Sequence, residues 1–473
     1  MRKGLAARPS MHKKAMRMSK KWFSDREFYG KLVRLTLPIS FQSLMLASVA
    51  AGDAVMLGHI AQDSMAAVSL ATQVQFIQNM MIYAIVGAGS ILGAQYWGKG
   101  DRRTIQDVFS LMLRLSAGLS FVFFLACVLA PQYLMLAFTH EQPLIDIGAA
   151  YLRIAGWSYL LTGISQCYLA VMKVSGHAGP CAWISSSAVV LNIALNAVFI
   201  FGLGPIPAMD ARGAALATLC ARVIELALCV IVCRGRDYVR PDFRRFFFRD
   251  RMLSADFRKC CLPLLGGGLF WGVGFTAYTA VMGHMGGDAA AANSVAAVVR
   301  DLVCCACNGI SSAGGILVGN ELGAGRLEKG KLYGDRLAKL SFVIGFASTL
   351  LMLAATPLVT GGMTMTDDAR RYLTGMMIIM AVYMIGRSAN TVIINGIFAA
   401  GGDTLFDVYS LAVSMWGLAL PLAFAGAFWF HWPVLAVYAC TCLDEVGKIP
   451  WVLYHYRKYK WVKDLTRERE QME

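Results

Sequence analysis

The chain has 473 residues, of which 57% are hydrophobic and only 15% charged, whereas soluble domains carry about 25% charged residues. This composition excludes an ordinary soluble domain and predicts a polytopic membrane protein. The net charge of +15 is also typical of nucleic-acid-binding proteins. Here, however, the basic residues are concentrated at the two ends of the chain and in alternate loops, as the positive-inside rule requires. We therefore expect the bilayer, and no nucleic acid, as a partner.

Taken in chain order, the sequence begins with a basic segment, residues 1–34, that lacks the apolar core of a signal peptide and predicts a cytoplasmic tail. Apolar runs long enough to cross about 30 Å of hydrocarbon then recur. They should be helices, because lipid offers the backbone no hydrogen-bond partners. Twelve spans are predicted: 35–57, 66–95, 108–131, 148–171, 181–203, 212–233, 260–283, 292–318, 334–359, 372–398, 407–429 and 433–455.

The loops between the predicted spans alternate in charge. Those after spans 3, 5 and 11 contain no Lys or Arg: "THEQPLID", "GLGPIPAMD" and "WFHWP". Those after spans 2, 6 and 8 are basic: "WGKGDRR", residues 234–259 and "GAGRLEKGK". Residues 457–473 are basic as well. The rule then predicts a multi-pass protein of a bacterial-type plasma (inner) membrane, with both termini in the cytoplasm.

The sequence repeats itself at a spacing of 225 residues, the separation of Pro38 and Pro263. At the same spacing "GHIAQDSMAAVS" pairs with "GHMGGDAAAANS", and "AGSILGAQYWGKG" with "AGGILVGNELGAG". Six spans per copy is an even number, so both copies have the same orientation in the membrane. The predicted fold is an all-α membrane protein of twelve transmembrane helices, in two six-helix lobes related by a pseudo-twofold axis along the membrane normal. The N lobe is 35–233, the linker 234–259 and the C lobe 260–456.

Asp53 is a carboxylate in an otherwise apolar span. Such a residue costs about 2.5–3.5 kcal/mol on insertion scales, and ionisable residues inside membranes usually serve function. A carboxyl group that is desolvated until a cation or donor reaches it can bind and release a proton, or hold Na⁺. The alternative is a structural role, in which Asp53 caps or hydrogen-bonds a neighbouring helix near the outer end of span 1.

Other polar side chains fall in spans 5 and 6. Asn192 and Asn196 are four residues apart and share one helix face. They can offer oxygen ligands to a cation, or simply bond two helices together. Thr218 can add one more oxygen, although membrane Thr residues often bond their own helix. Arg222 and Glu225, three apart, predict a salt bridge, with an internal gate as the alternative.

The second lobe is less polar in the matching places. The repeat partner of Asp53 is Tyr278, and span 7 contains no carboxylate. Span 10 carries Arg387 and Asn390, which are candidates for lining a substrate cavity or gating it. We expect no cation site in the C lobe. The cysteines of "CCAC" (304–307) lie inside a span, where they are expected to pack rather than to bind metal. No metal or cofactor is predicted.

Five motifs, "RLTLPISFQSLMLASVAAGDAVMLGHI", "GAQYWGKGD", "LNIALNAVFIFG", "GAALATLCAR" and "AAGGDT", resemble the multidrug and toxic compound extrusion (MATE) family. The resemblance implies two six-helix bundles around a V-shaped cavity, and export of cationic amphipathic compounds coupled to inward flow of H⁺ or Na⁺. It places Asp53 at the ion-coupling carboxylate, and Asn192, Asn196 and Thr218 beside it. Some relatives have an aspartate where Asn196 stands, and many a glutamate near Gly267 and Gly268.

The function expected from the sequence is thus a cation-coupled antiporter that exports drugs or metabolites by alternating access, acting as a monomer. H⁺ is favoured over Na⁺, because one carboxylate among amides supplies few strong Na⁺ ligands. An enzyme is not expected, since no paired nucleophile and base lie at membrane depth. The alternative is a flippase for lipid-linked saccharides. Against it stand the twelve spans and the single candidate cavity arginine, where such flippases often have about fourteen spans and arginine-lined cavities.

Overall fold

The computed structural model describes residues 25–58, 62–202, 207–242, 246, 250–362 and 365–468, and for residues 49–58 and 62 only the backbone. Within these ranges the chain is helical and contains no β-strand. The long helices are α1 (Arg26–Gly58), α2 (Gln62–Lys99), α3 (Arg102–Leu129), α4 (Gln142–Val174), α5 (Ala178–Phe201), α6 (Asp210–Val232), α7 (Arg251–His284), α8 (Gly287–Gly323), α9 (Leu327–Gly362), α10 (Asp367–Phe398) and α11 (Leu405–Trp429). A last helix, α12, is broken into Val434–Thr441, Leu443–Val446 and Ile449–Arg457.

Nine of the helices described are long and apolar enough to cross a membrane, namely α2, α3 and α5 to α11. The remaining three, α1, α4 and α12, lie where spans 1, 4 and 12 are predicted. Most helices begin a few residues before their predicted spans, and two of them begin nine residues before. α1 starts at Arg26, within the predicted tail, and α7 at Arg251, within the predicted linker. The start of α7 is fixed by Asp250, whose carboxylate accepts the backbone N–H groups of Met252 and Leu253 at 2.8 and 3.0 Å, as N-cap residues do.

The helices form two lobes, and four helices make the main contacts between them. Across the lobe boundary α1 packs on α8, α2 packs on α7, and α2 and α8 pack on each other. The repeat exchanges α1 with α7 and α2 with α8, so the first two contacts are equivalent and the third is its own equivalent. This arrangement confirms the two-lobe fold predicted from the repeat.

At one end of the bundle α2 and α8 cross with their backbones in contact. A Cβ atom on Gly98 would lie 1.9 Å from the carbonyl oxygen of Asn320, and one on Gly323 would lie 1.9 Å from that of Gln95. The repeat relates Gly98 to Gly323 and Gln95 to Asn320, so the contact is reciprocal. Only glycine permits this approach. The described parts of the basic loops and the C-terminal segment lie at this end of the molecule, which we call the basic end, and the crossing closes it.

The C-terminal segment, residues 458–468, runs across the basic end. Trp461 is fully buried, with its ring against Gly334 and its carbonyl against Gly401 in the C lobe. Further along, Lys99 donates to the carbonyl oxygen of Arg467 at 2.9 Å. Arg467 forms a two-pronged ion pair with Asp256 near the start of α7, at 2.5 and 2.9 Å. The segment thus contacts α2 of the N lobe and, in the C lobe, α7 and the surroundings of Gly334 and Gly401.

Candidate functional site

Three neighbouring cavities run through the molecule from one lobe to the other. The N-side cavity has a volume of about 580 Å³ and is lined by α1, α2, α4 and α6. The central cavity, about 430 Å³, lies between the lobes. The C-side cavity, about 200 Å³, is lined by α2, α7, α8, α10, α11 and α12. The side chain of Tyr83 on α2 lines all three, so it stands where they meet.

Tyr83 is 60% exposed although it lies in the middle of an apolar helix. Its repeat partner on α8, Asn308, is also exposed and lines the central and C-side cavities. Polar groups at this depth are accommodated only where they face protein or a water-filled space. The pair therefore marks the central cavity, which both residues line, as aqueous space between the lobes.

The structure brings three of the predicted N-lobe residues together. Asn196 donates to the side-chain oxygen of Asn192 at 3.4 Å, and Asn192 donates to the hydroxyl of Thr218 at 3.2 Å. Thr218 in turn donates to the carbonyl of Ala214 and lines the N-side cavity. The two amides are buried, with exposed fractions of 6% and 1%. The result is a polar chain from the cavity into the contact between α5 and α6.

Asp53, the residue on which the predicted mechanism depends, lies in the helical part of α1, but its side chain is outside the described residues. Its ion-coupling role stays a prediction. The described part of α1 does show which way this helix faces. Leu46 lines the N-side cavity, and Gln42 donates to the hydroxyl of Ser185 on α5 at 2.7 Å. α1 therefore lies between the cavity and the helix that carries the two asparagines.

Arg222 and Glu225 form the salt bridge that their spacing predicts. Arg222 also lines the N-side cavity, whereas Glu225 is 1% exposed and lies in the interior of the lobe. The buried carboxylate of Glu225 compensates the charge of Arg222. The guanidinium N–H groups of Arg222 that do not bind Glu225 are then available to the cavity.

In the C lobe, Arg387 and Asn390 line the C-side cavity, and both bind one carboxylate. Glu445 of α12 accepts Arg387 at 2.9 Å and Asn390 at 2.7 Å, one on each oxygen. Lys448 adds an ion pair at 3.0 Å. Glu445 is 2% exposed, so its charge is compensated entirely by these three donors and contributes no free anion to the cavity.

Sequence reasoning missed the C-lobe acids. Asp407 of α11 and Glu445 both line the C-side cavity. The prediction considered span 7, where the resemblance places a glutamate, and span 10, and it overlooked these two acids in spans 11 and 12. The available signal was the charged run "LDEVGK" (443–448) inside an apolar span, which by its cost in lipid should have marked a site.

Two helical lobes around polar cavities define a membrane transporter, and comparisons with known proteins give its family. The MatE family model matches residues 38–198 and 263–425, one match in each lobe. The chain therefore belongs to the MATE family of membrane transporters.

Relatives resemble the chain along nearly its whole length. The uncharacterised transporter YisQ of Bacillus subtilis (strain 168) is 24% identical, over 92% of this chain and 95% of its own. The probable multidrug resistance protein NorM of Deinococcus radiodurans is 25% identical, over 83% and 86%. Among solved structures, the Vibrio cholerae MATE transporter VcmN superposes with a TM-score of 0.84 at 15% identity, covering 92% of this chain and 98% of its own. A MOP superfamily transporter from Pyrococcus furiosus gives 0.82 at 17%, covering 90% and 95%.

Proposed function

We propose that this protein is a cation-coupled antiporter that exports amphipathic, cationic compounds, with Asp53 as the coupling carboxylate. The observation that carries the proposal is the parallel register of α1 and α5. The two helices pack together, and Gln42 is bonded to Ser185. Asp53 comes eleven residues after Gln42, and Asn196 comes eleven residues after Ser185. At about 1.5 Å of rise per residue, Asp53 and Asn196 belong to the same level of the membrane.

The cavity side of this register supports the same role. Asp53 follows Leu46 by seven residues, two helical turns, and Leu46 lines the N-side cavity. At the level of Asp53, the two asparagines of α5 are hydrogen-bonded in series to Thr218 of α6, which lines the cavity. A carboxylate here has a route to ions from the cavity and amide groups to receive it.

The closed basic end supports a direction for the proposed cycle. Because α2 and α8 are in contact there, we propose that the cavities open to the opposite side, which we take as the exterior by the positive-inside rule. Both termini are then cytoplasmic, in a bacterial inner membrane, and the protein works as a monomer. An ion that reaches Asp53 removes its charge and favours a different packing of the N lobe. The bound ion shifts the lobes toward the inward-open state only because it binds that state with the higher affinity.

We favour H⁺ as the coupling ion. The described polar groups at this level on α5 and α6 are the amides of Asn192 and Asn196 and the hydroxyl of Thr218, whereas strong Na⁺ sites use more negatively charged oxygen ligands. Export of drugs is proposed from the names of relatives called multidrug resistance proteins. The test is efflux of ethidium from proteoliposomes of purified protein, under a pH gradient or a Na⁺ gradient imposed alone. Efflux driven by the pH gradient supports the proposal. Efflux that only the sodium gradient drives would refute H⁺ coupling. If neither gradient drives efflux, the proposed antiport is refuted.

A further inference from the structure

The central cavity between the lobes has an almost symmetrical wall. Most of the residues that line it occur in pairs separated by 225 positions, the spacing of the repeat, such as Gln166 with Thr391 and Ala170 with Asn395. Only a few described lining residues have no such partner in the wall: Ser43, Lys173, Gly396 and Ala400. The cavity therefore lies on the pseudo-twofold axis that relates the two lobes.

Lys173 of α4 places a charge on this wall. It is the only charged residue that the described part of the chain contributes to the lining, and its repeat partner, Phe398, is fully buried and does not line the cavity. No described residue forms an ion pair or a hydrogen bond with the ammonium group of Lys173. An unpaired cation at membrane depth is costly, and an anion in the cavity would relieve that cost.

Lys173 lies at the floor of the cavity, next to the closed basic end. A Cβ on Gly93 of α2 would lie 3.4 Å from Cγ1 of Val174, the residue after Lys173. The crossing at Gly98 comes five residues further along α2, about 7.5 Å at 1.5 Å of rise per residue. Side chains of a helix lean toward its N-terminus, so the ammonium group extends from the floor into the cavity.

The C-lobe wall opposite Lys173 offers uncharged donors. Asn395 of α10 is exposed, although its neighbours from Thr391 to Ala400 are buried, so its side chain extends into the cavity that it lines. It is the repeat partner of Ala170, one helical turn before Lys173. Ser312 of α8 lines the same wall. Amide and hydroxyl groups can donate to the oxygens of an anion, and no carboxylate in the described wall repels one.

We infer that the floor of the central cavity is a binding site for an organic anion, whose phosphate or carboxylate group lies at Lys173. Lysine binds phosphate as a point charge, and Asn395 and Ser312 donate to the same group from the C lobe. The aromatic body of the ligand extends away from the basic end toward Tyr83. The inference goes beyond the proposed export of cations, because it concerns a ligand of opposite charge and does not depend on Asp53.

The test is equilibrium binding to the purified full-length protein in detergent, with no ion gradient. Three probes are used: 1-naphthyl phosphate, 1-naphthol, which has the same ring without the charge, and tetraphenylphosphonium, a permanent cation. The wild-type protein should bind naphthyl phosphate about ten-fold more tightly than naphthol, as one charged hydrogen-bonded contact predicts. Equal affinities for the two naphthyl probes would overturn the inference.

Variants of Lys173 assign the charge. Lys173→Gln should abolish the preference for naphthyl phosphate and leave the affinities for naphthol and tetraphenylphosphonium unchanged, whereas Lys173→Arg should keep the preference. A lysine in the last turn of a helix also interacts favourably with the helix dipole. If that were its only role, Lys173→Gln would lower the thermal unfolding midpoint but keep the preference, and this result would overturn the inference.

A matched control separates the cavity from the basic surface. Lys460→Gln makes the same chemical change at an exposed lysine of the C-terminal segment and should keep the full preference for naphthyl phosphate. An equal loss of preference in Lys460→Gln and Lys173→Gln would place the anion on the surface and overturn the site. Asn395→Ala tests the C-lobe wall. It should weaken naphthyl phosphate about five-fold and leave naphthol unchanged.

A phospholipid headgroup offers the same phosphate as a soluble anion. Dihexanoyl phosphatidate should displace naphthyl phosphate at least about ten-fold less well than unlabelled naphthyl phosphate does, because it has no ring to pack against Tyr83. Tighter binding of the lipid would overturn the assignment to a soluble organic anion.

The anion site and the proposed function can fail separately. Asp53→Asn should retain the preference for naphthyl phosphate, since the site does not depend on Asp53. If that preference is present but no gradient drives efflux, the proposed function fails and the anion site stands. If efflux is gradient-driven but naphthyl phosphate has no advantage over naphthol, the anion site fails and the proposed function stands.

Discussion

Gln95 on α2 and Leu465 in the C-terminal segment are joined by a hydrogen bond of 2.6 Å, from the backbone N–H of Leu465 to the side-chain oxygen of Gln95. The amide nitrogen of Gln95 donates to the carbonyls of Ala400 at 2.7 Å and Lys463 at 3.2 Å. A single fully buried side chain of the N lobe therefore holds both the C lobe and the C-terminal segment. In the transport cycle proposed above, opening of the basic end would require these bonds to break.

Gln95→Ala is expected to favour opening of the basic end. The change removes three hydrogen bonds, each worth about 1 kcal/mol. Amide hydrogen exchange in residues 94–100 and 317–325 should become at least about ten-fold faster. Lys460→Ala, at an exposed side chain of the same segment, is the control. Unchanged exchange in Gln95→Ala would show that the C-terminal segment does not hold the lobes together.

The crossing of α2 and α8 is expected to tolerate no side chain. Gly98→Ala places a Cβ against the carbonyl of Asn320, so the helices must separate, and overpacking of this kind costs typically 1–3 kcal/mol. Thermal unfolding in detergent should show a lower midpoint, and efflux should fall. Gly118→Ala in α3, where nothing lies within 4 Å of the new atom, should be neutral or stabilising because alanine favours helix. Equal behaviour of the two variants would contradict the close approach.

Tyr83 is expected to contribute to binding through its ring. Tyr83→Ala removes an aromatic face shared by all three cavities, and cation–π contacts are worth about 0.5–2 kcal/mol. Affinity for tetraphenylphosphonium should fall about three- to thirty-fold, whereas Tyr83→Phe should keep it. Tyr133→Ala, at a 77% exposed ring on the short helix Pro131–Leu136, is the control. A loss in Tyr83→Phe as large as in Tyr83→Ala would assign the effect to the hydroxyl instead.

Much of the fold could be predicted from the sequence because it follows from apolar runs, from the internal repeat and from the spacing of residues along single helices. Apolar length located the helices, and the 225-residue repeat predicted two equivalent lobes. The link between Asn192 and Asn196 also follows from helix spacing, as does the Arg222–Glu225 pair. In each of these two pairs both residues lie on one helix, where the geometry is known in advance.

The C-side cavity could not be predicted in the same way. Arg387 and Glu445 are 58 residues apart, and Gln95 and Leu465 are 370 apart. Helical periodicity shows which face of a helix is polar, but not which helix lies opposite. α12 also breaks into three pieces around Leu443–Val446. Both acids of the middle piece, Asp444 and Glu445, are buried.

The ion pair between Asp25, just before α1, and Arg336 of α9 predicts a dependence of stability on pH. The hydrogen bond from Arg336, at 2.6 Å, lowers the pKa of Asp25 below its ordinary value of 3.8. A lowered pKa means that the stabilisation is fully present above about pH 4 and is lost as the pH falls through the folded-state pKa. The pair is partly exposed, so about 1 kcal/mol or less is expected. Asp25→Asn should therefore lower the unfolding midpoint at pH 6, and the difference from wild type should shrink progressively as the pH falls from about 4 through the lowered folded-state pKa. A constant difference across that range would contradict the ionic origin.

The most direct test of the account is uphill efflux by Asp53→Asn in proteoliposomes under an imposed pH gradient. Asp63→Asn, an exposed carboxylate in the first turn of α2, is the matched control for the same chemical change. We predict that Asp53→Asn lowers gradient-driven efflux to the rate of protein-free liposomes while binding of tetraphenylphosphonium persists, and that Asp63→Asn transports like wild type. Wild-type efflux by correctly folded Asp53→Asn would contradict the account.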